Sequence, residues 1–282
     1  MKETVCQFGP DSSLVGILCT PDESVRVEGA PVALILNAGI VHHIGPFRFH
    51  VDMARLLAAA GFSSLRIDIS GLGDSETRTG KLSKKNRAVQ DAADAMDFLT
   101  RETGTDRFVL VGLCSGAFNA HQVAIGDSRV VGAVFFDGIV FRTLGYYFRH
   151  YGLRFLKPRF WRNAIRRRVI GEPLSNEQDG ETLGESEFFE VEKSCQEVAA
   201  EISQLADRGV RMLFVYTEGF EDIASAGQFR KMYGIKPDDQ VQVEYFNEAE
   251  HTFRLSQNRS MACGRLRDWY ASQFAQVAAA VS

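Results

Sequence analysis

The chain has 282 residues, of which 45% are hydrophobic and 24% are charged, and its formal net charge is −4. This length fits one large α/β domain, or one domain with an insertion, and the slightly acidic balance argues against nucleic acid as a general partner. No stretch approaches eighteen apolar residues and the start, MKETVCQFGPDSS, has no apolar segment, so we expect neither a membrane span nor a signal peptide. The five cysteines are scattered without CxxC spacing, which favours reduced thiols in the cytoplasm over a disulfide framework or a zinc site.

Short apolar segments and amphipathic helices alternate along most of the chain. Residues 4–8 and 14–19 predict an antiparallel hairpin across the turn GPDS. Further strands are predicted at 32–37, 62–69, 108–113, 130–136, 211–216 and 241–246, and helices at 47–60, 84–100 and 115–125. This alternation predicts an α/β fold: an open, mostly parallel sheet with helices on both faces and the antiparallel hairpin at its start.

One segment interrupts the alternation. The connection between the strands at 130–136 and 211–216 is about seventy residues long, too long for a plain crossover. Its first part, 141–169, is dense in aromatic residues and arginines and contains no acid, whereas 172–201 is strongly acidic. We therefore predict an inserted helical lid at 141–206, with 1–140 and 207–282 forming the core domain.

The stretch VLVGLCSGAF at 109–118 places two candidate nucleophiles side by side after a strand. A sharp turn from strand to helix needs small residues two positions before and two positions after the nucleophile. Gly112 and Gly116 meet that requirement only if Cys114 is central, whereas centring the turn on Ser115 places larger residues there. Cys114 is thus the predicted nucleophile and Ser115 supplies its backbone N–H. The alternative is a glycine-rich turn around an inert, buried cysteine.

Two later strands are followed by residues that would complete a catalytic triad. TEGFED, 217–222, ends in carboxylates, and NEAEHTF, 247–253, contains His251. The carboxyl ends of parallel strands meet at one edge of a sheet, so these side chains are expected near Cys114. The chain order nucleophile, acid, histidine is typical of α/β-hydrolases. The candidate acids are Asp222, Glu221 and, after the preceding strand, Asp137.

Over nearly its whole length the chain resembles the α/β-hydrolase superfamily, and it is especially similar to bacterial serine aminopeptidase-like and exosortase-associated hydrolases. The resemblance lies in LILNAGIVHHIGPFRFH, SLRIDISGLGDSE, VGLCSGA, FVYTEGFED and EHTF. It implies structural roles for Asp68 and Asp74, an oxyanion-hole N–H from Ile40, and Asp222 as the acid by its Gly-x-x-Asp spacing. The chain differs from the common pattern in its cysteine at the elbow, as do dienelactone hydrolases and polyhydroxyalkanoate synthases.

These roles imply acyl transfer through a covalent thioester on Cys114, with His251 as base and the amides of Ile40 and Ser115 holding the oxyanion. The leading hypothesis is an acyl hydrolase of the thioesterase or esterase type. An acyltransferase or cyclase would use the same intermediate and pass the acyl group to an alcohol or amine. A hydrolase-like accessory protein without activity is the non-catalytic alternative.

Other histidines carry weaker signals. His42 and His43 follow the oxyanion loop and are candidates for substrate contact, with surface packing as the alternative, and His121 is interpreted as a packed helix residue. The sequence has no paired carboxylate–histidine spacing typical of a metal site, and no Gly-x-Gly-x-x-Gly follows a first strand. We therefore expect neither a metal nor another cofactor.

The basic part of the predicted lid has two interpretations. Its aromatic residues can pack on the core while its arginines pair with the acidic second half. Alternatively it recognises an anionic partner: coenzyme A, an acyl carrier protein with its phosphopantetheine arm, or a membrane surface. Tyr146 and Tyr147 lie in this segment and are candidates for contact with an apolar acyl group.

Overall fold

The computed structural model describes residues 1–78, 84–139, 193–218 and 225–275. Most of the predicted lid lies outside these ranges, including Tyr146, Tyr147 and the whole basic segment. Glu221 and Asp222 also lie outside the described residues.

Eight strands form one sheet. They are β1 (Lys2–Phe8), β2 (Leu14–Thr20), β3 (Val32–Ile35), β4 (Ser64–Asp68), β5 (Phe108–Leu113), β6 (Val130–Phe136), β7 (Arg211–Thr217) and β8 (Val241–Phe246). Their spatial order is β1-β2-β4-β3-β5-β6-β7-β8. The β1–β2 and β2–β4 pairs are antiparallel and the remaining pairs are parallel. The predicted hairpin and parallel sheet are confirmed.

Helices cover both faces of this sheet. The described helices are α1 (Phe49–Ala59), α2 (Lys84–Thr103), α3 (Ser115–Gly126), α4 (Cys195–Asp207), α5 (Gly227–Tyr233) and α6 (Ser256–Phe274). One core cluster joins the sheet to α2, α3, α4 and α5, and a second cluster joins its other face to α1 and α6. Strands β3, β4 and β5 are buried at every residue, as expected of central strands covered on both faces.

The part of the predicted lid range that the structure describes begins at residue 193 and contains the helix α4, which packs on the core. α4 begins at a capping box formed by Ser194 and Glu197, which satisfies N–H groups that the first turn would leave unpaired. Its side chains Val198, Ile202 and Leu205 are buried in the cluster with α3 and the sheet. α4 is thus the helix that returns the chain to β7, and all of it except its last residue, Asp207, falls within the range 141–206 predicted for the lid.

The parallel strands end at one edge of the sheet, where Cys114, Asp137 and His251 follow β5, β6 and β8. Ligands of open α/β sheets bind at this edge. Among the described helices, none is both long enough and apolar enough to cross a membrane.

Candidate active site

Cys114 lies on a strained turn between β5 and α3. Its φ of 60° and ψ of −121° fall in a region that non-glycine residues rarely adopt. Its N–H donates to the carbonyl of Phe136 on β6, at 2.9 Å, and its side chain is half-buried. The turn therefore presents a partly accessible thiol at the carboxyl end of the sheet.

The two flanking glycines confirm the steric basis of the predicted elbow. A Cβ on Gly112 would lie 2.2 Å from the backbone of Gly116, and a Cβ on Gly116 would lie 2.4 Å from the carbonyl oxygen of Asn37. Real Cβ atoms do not approach backbone this closely. The crowded positions are those two before and two after Cys114, and the turn is centred on that residue.

Alanine at either glycine is expected to destabilise the fold. The added methyl group meets backbone rather than a flexible side chain, so Gly112→Ala and Gly116→Ala should each cost at least about 1–3 kcal/mol of unfolding free energy. Urea or thermal unfolding followed by circular dichroism measures the loss. Gly264→Ala, in α6 with open space around its Cβ, is the matched control and should gain stability, by about 0.5–1 kcal/mol. Wild-type stability in both elbow variants would contradict this account of the turn.

His251 is held by a carboxylate at the end of β6. Its Nδ1 lies 2.9 Å from Oδ2 of Asp137, and the thiol of Cys114 is close enough to influence the charge of its imidazole. The structure thus brings Cys114, His251 and Asp137 together. Asp137 is the alternative acid of the sequence analysis, and the preferred Asp222 lies outside the described residues.

Strand order explains how Asp137 reaches this position. β6 lies directly beside β5, which carries the elbow, and Asp137 follows its last residue. The carboxylate is fully buried and is fixed by Thr217 on β7, whose N–H and Oγ1 donate to it at 2.8 and 2.6 Å. Asp137 itself has a φ of 45°, a strained conformation of the kind that clusters at functional sites.

These contacts control the charge of His251. Burial lowers the pKa of the imidazole, but hydrogen bonds with Asp137 and Cys114, together with their charges, raise it from 6.5 to about 10. His251 is therefore favoured as an imidazolium at neutral pH. Its Nδ1–H is directed at Asp137, an arrangement that fixes the tautomer and the orientation of the ring.

The predicted oxyanion loop is tied to the elbow by Ser115. The N–H of Gly39 donates to Oγ of Ser115 at 2.7 Å, and the turn is closed by the N–H of Val41, which donates to the carbonyl of Ala38 at 3.0 Å. Ile40, between them, has an exposed side chain. Ser115 is the first residue of α3, where a backbone N–H has no acceptor within the helix. The loop that carries Ile40 is thus bound to the first residue of α3.

Asp68 supports this loop through hydrogen bonds, in agreement with the structural role predicted for it. Its carboxylate accepts from Nδ2 of Asn37 at 3.0 Å, from the N–H of Asp74 at 3.0 Å, and from both the N–H and Nδ1 of His43, at 2.6 and 2.7 Å. Burial raises the pKa of Asp68, but the hydrogen bonds from His43, Asp74 and Asn37 outweigh it and hold the pKa below its usual value.

The two neighbouring histidines occupy different environments. The ring of His43 is bound to Asp68 and only 11% exposed, whereas His42 is exposed beside it, with the two rings 5.4 Å apart. His43, Asp68 and Asp74 bring potential metal-ligand atoms within 4.8 Å of one another. Both oxygens of Asp68 already accept N–H donors, and the guanidinium of Arg66 lies against the carbonyl of His43. The cluster is built as a hydrogen-bonded support rather than as a cation site.

Asn37 and Thr217 are the supporting residues that the sequence analysis missed. Asn37 is buried, and it accepts from the N–H of Ile69 at 2.8 Å while donating to Asp68 and to the carbonyl of Val41. Asn37 and Thr217 are both polar residues at the end of an apolar strand, and that position is the only sign of their supporting roles in the sequence.

Comparisons with known proteins agree with this architecture. A family model described as serine aminopeptidase, S33, matches residues 31–179, just over half of the chain. The α/β hydrolase GrgF from Penicillium is similar in structure, with a TM-score of 0.58, 16% identity and coverage of 98% of this chain and 100% of that one. Dienelactone hydrolase from Anabaena variabilis has a TM-score of 0.57 at 14% identity, covering 97% and 98%.

A third similar structure is XC6422 from Xanthomonas campestris, described as an α/β serine hydrolase without a lid. Its TM-score is 0.57 at 13% identity, with coverage of 97% of this chain and 96% of that one. At sequence identities this low, the structural similarity shows a shared fold and nothing more. No relative was found among curated protein sequences.

Proposed function

The chain belongs to the serine aminopeptidase S33 family of α/β-hydrolases, and on that basis we propose that it is an acyl hydrolase acting on esters or thioesters through an acyl-cysteine intermediate. Cys114 is the nucleophile, His251 the general base and acid, and Asp137 the orienting carboxylate. The observation that carries the proposal is the hydrogen-bonded pair His251–Asp137 close to Cys114 on its strained elbow.

The first half of the reaction acylates the enzyme. The thiolate of Cys114 attacks the carbonyl carbon of the substrate, a C–S bond forms, and the carbonyl electron pair moves to oxygen. The oxyanion is held by the amides of Ser115 and Ile40, and one such donor is typically worth about 3–4 kcal/mol. When the intermediate collapses, the bond to the leaving group breaks and the imidazolium of His251 gives that group its proton.

The second half uses water. Neutral His251 removes a proton from a water molecule whose oxygen attacks the thioester carbonyl, again forming an oxyanion. Collapse breaks the C–S bond, releases the carboxylic acid and leaves the Cys114 thiolate beside the imidazolium. Asp137 keeps Nδ1 protonated and stabilises the positive charge throughout. The raised pKa of His251 supports an imidazolium in the resting enzyme.

Intact-protein mass spectrometry tests the proposal. The protein is incubated with activated esters and acyl-coenzyme A thioesters of different chain lengths. We expect a mass increase equal to one acyl group, localised by peptide mapping to Cys114, that decays in water. An adduct on Ser115, or the absence of any adduct across the panel, would refute the acyl-cysteine mechanism. An adduct that persists until an alcohol or amine is added would instead identify an acyltransferase.

A further inference from the structure

The hydroxyl of Ser115 is a buried polar group to which the proposed mechanism gives no role. The residue is 5% exposed and directly follows Cys114. Its Oγ accepts the N–H of Gly39 at 2.7 Å, so one lone pair of the oxygen is committed to the oxyanion loop. A serine hydroxyl also carries a hydrogen to donate, and among the described residues no protein atom accepts it.

The position of this hydroxyl is unusual for a free donor. It connects the two segments assigned to the oxyanion, because Ser115 itself provides one backbone N–H and its Oγ binds Gly39, the neighbour of Ile40 in the loop. A Cβ on the next residue, Gly116, would meet the carbonyl oxygen of Asn37 at 2.4 Å. The elbow and the loop are therefore in direct contact, and the hydroxyl cannot move away from the loop without breaking its bond to Gly39.

We propose that the Ser115 hydroxyl is a working part of the oxyanion hole. Its oxygen fixes the amide of Gly39, and its O–H donates to the negative oxygen that forms when Cys114 attacks a carbonyl. This inference rests on the proposed acyl-cysteine mechanism and adds a side-chain donor to the two backbone donors. Ser115 transfers no proton: the hydrogen stays on Oγ, and the hydrogen bond strengthens as charge develops on the substrate oxygen.

Two reactions of the same thiolate separate this role from a general structural one. Acylation of Cys114 by an activated acetyl ester passes through an oxyanion, whereas alkylation by iodoacetamide displaces iodide at a saturated carbon and forms none. In Ser115→Ala we expect acylation to slow by about 100-fold, with the alkylation rate unchanged. In steady state, kcat should fall while KM is unaltered. Ser115→Thr, which keeps the hydroxyl, should recover most of the acylation rate.

Ser64→Ala is the matched control, since Ser64 is a buried β4 serine whose hydroxyl has no partner among the described residues. It should react like wild type in both assays. The inference would be overturned if Ser115→Ala were acylated at the wild-type rate, or if it lost acylation and alkylation in parallel. A folded Ser115→Thr variant that did not recover acylation would overturn it as well. None of these results would contradict Cys114 as the nucleophile. A wild-type protein that is alkylated at Cys114 but never acylated would instead refute the proposed function, and the inference with it.

Discussion

Replacing Cys114 with alanine is expected to lower kcat by about 10⁶-fold, the loss typical of removing a covalent nucleophile. The physical reason is the geometry of the elbow. The strained turn is centred on Cys114, whose thiol lies close to His251, whereas the hydroxyl of Ser115 is bound to Gly39. No neighbouring group can replace the thiolate. Turnover of an activated ester and intact-mass detection of the acyl-enzyme measure the two consequences together.

Cys6→Ala serves as the control, because Cys6 lies on β1 at the far edge of the sheet. This variant should keep wild-type turnover and remain acylated. Thermal unfolding of Cys114→Ala establishes that the variant is folded. If Cys114→Ala retained its turnover, the assignment of the nucleophile would be wrong.

Replacing Asp137 with asparagine is expected to lower kcat by about 10⁴-fold with little change in KM. The side chains are nearly the same size, so the amide can still accept from Thr217. It cannot carry the negative charge that fixes the tautomer of His251 and stabilises the imidazolium. Steady-state kinetics measure the loss. Asp97→Asn, a carboxylate on α2 that pairs with Arg129, is the control and should be fully active.

Asp222→Asn is the competing variant, because the spacing in the sequence favoured that residue as the acid. A collapse of activity in Asp222→Asn, with Asp137→Asn unaffected, would return the role to Asp222.

The same Asp137→Asn variant should change the titration of His251. In the wild type the imidazole pKa is raised from 6.5 to about 10, so the folded state binds a proton more tightly than the unfolded state. The stability from this contact is complete below pH 6.5 and is lost as the pH rises towards 10. Without the carboxylate the titration midpoint should fall. NMR of protein labelled with ¹⁵N-histidine detects both midpoints, and identical midpoints would show that Asp137 does not control the charge of His251.

Sequence patterns predicted the fold and the elbow well because both depend on local steric rules. Apolar segments mark the strands, and in α2 the apolar residues Ala88, Ala92, Ala95, Met96 and Leu99 lie at helical spacing on one face and are all buried. Gly112 and Gly116 locate the turn because a Cβ on either residue would collide with neighbouring backbone atoms. These signals need no knowledge of how distant segments meet.

Local sequence patterns do not determine which carboxylate is the partner of His251. Asp137 and Asp222 both follow strands that end at the same edge of the sheet, so position after a strand does not distinguish them. Among the described residues, the placement of β6 beside the elbow strand and the anchoring of Asp137 by Thr217 bring a carboxylate to Nδ1 of His251. The roles of Asn37 and Ser115 likewise depend on contacts between residues more than thirty positions apart.

The placement of Asn37 has a consequence for how the active site opens. Its backbone touches the elbow at Gly116, and its side chain binds both the loop at Val41 and the strand end at Ile69. A fluctuation that frees the loop must break its bond to Asn37 and the bond from Gly39 to Ser115 of the elbow. Local unfolding follows such cooperative units, so the amides of the elbow, the oxyanion loop and the β4 end should exchange with solvent as one group. The same hydrogen bonds thus hold the shape of the candidate active site and resist partial unfolding of this region.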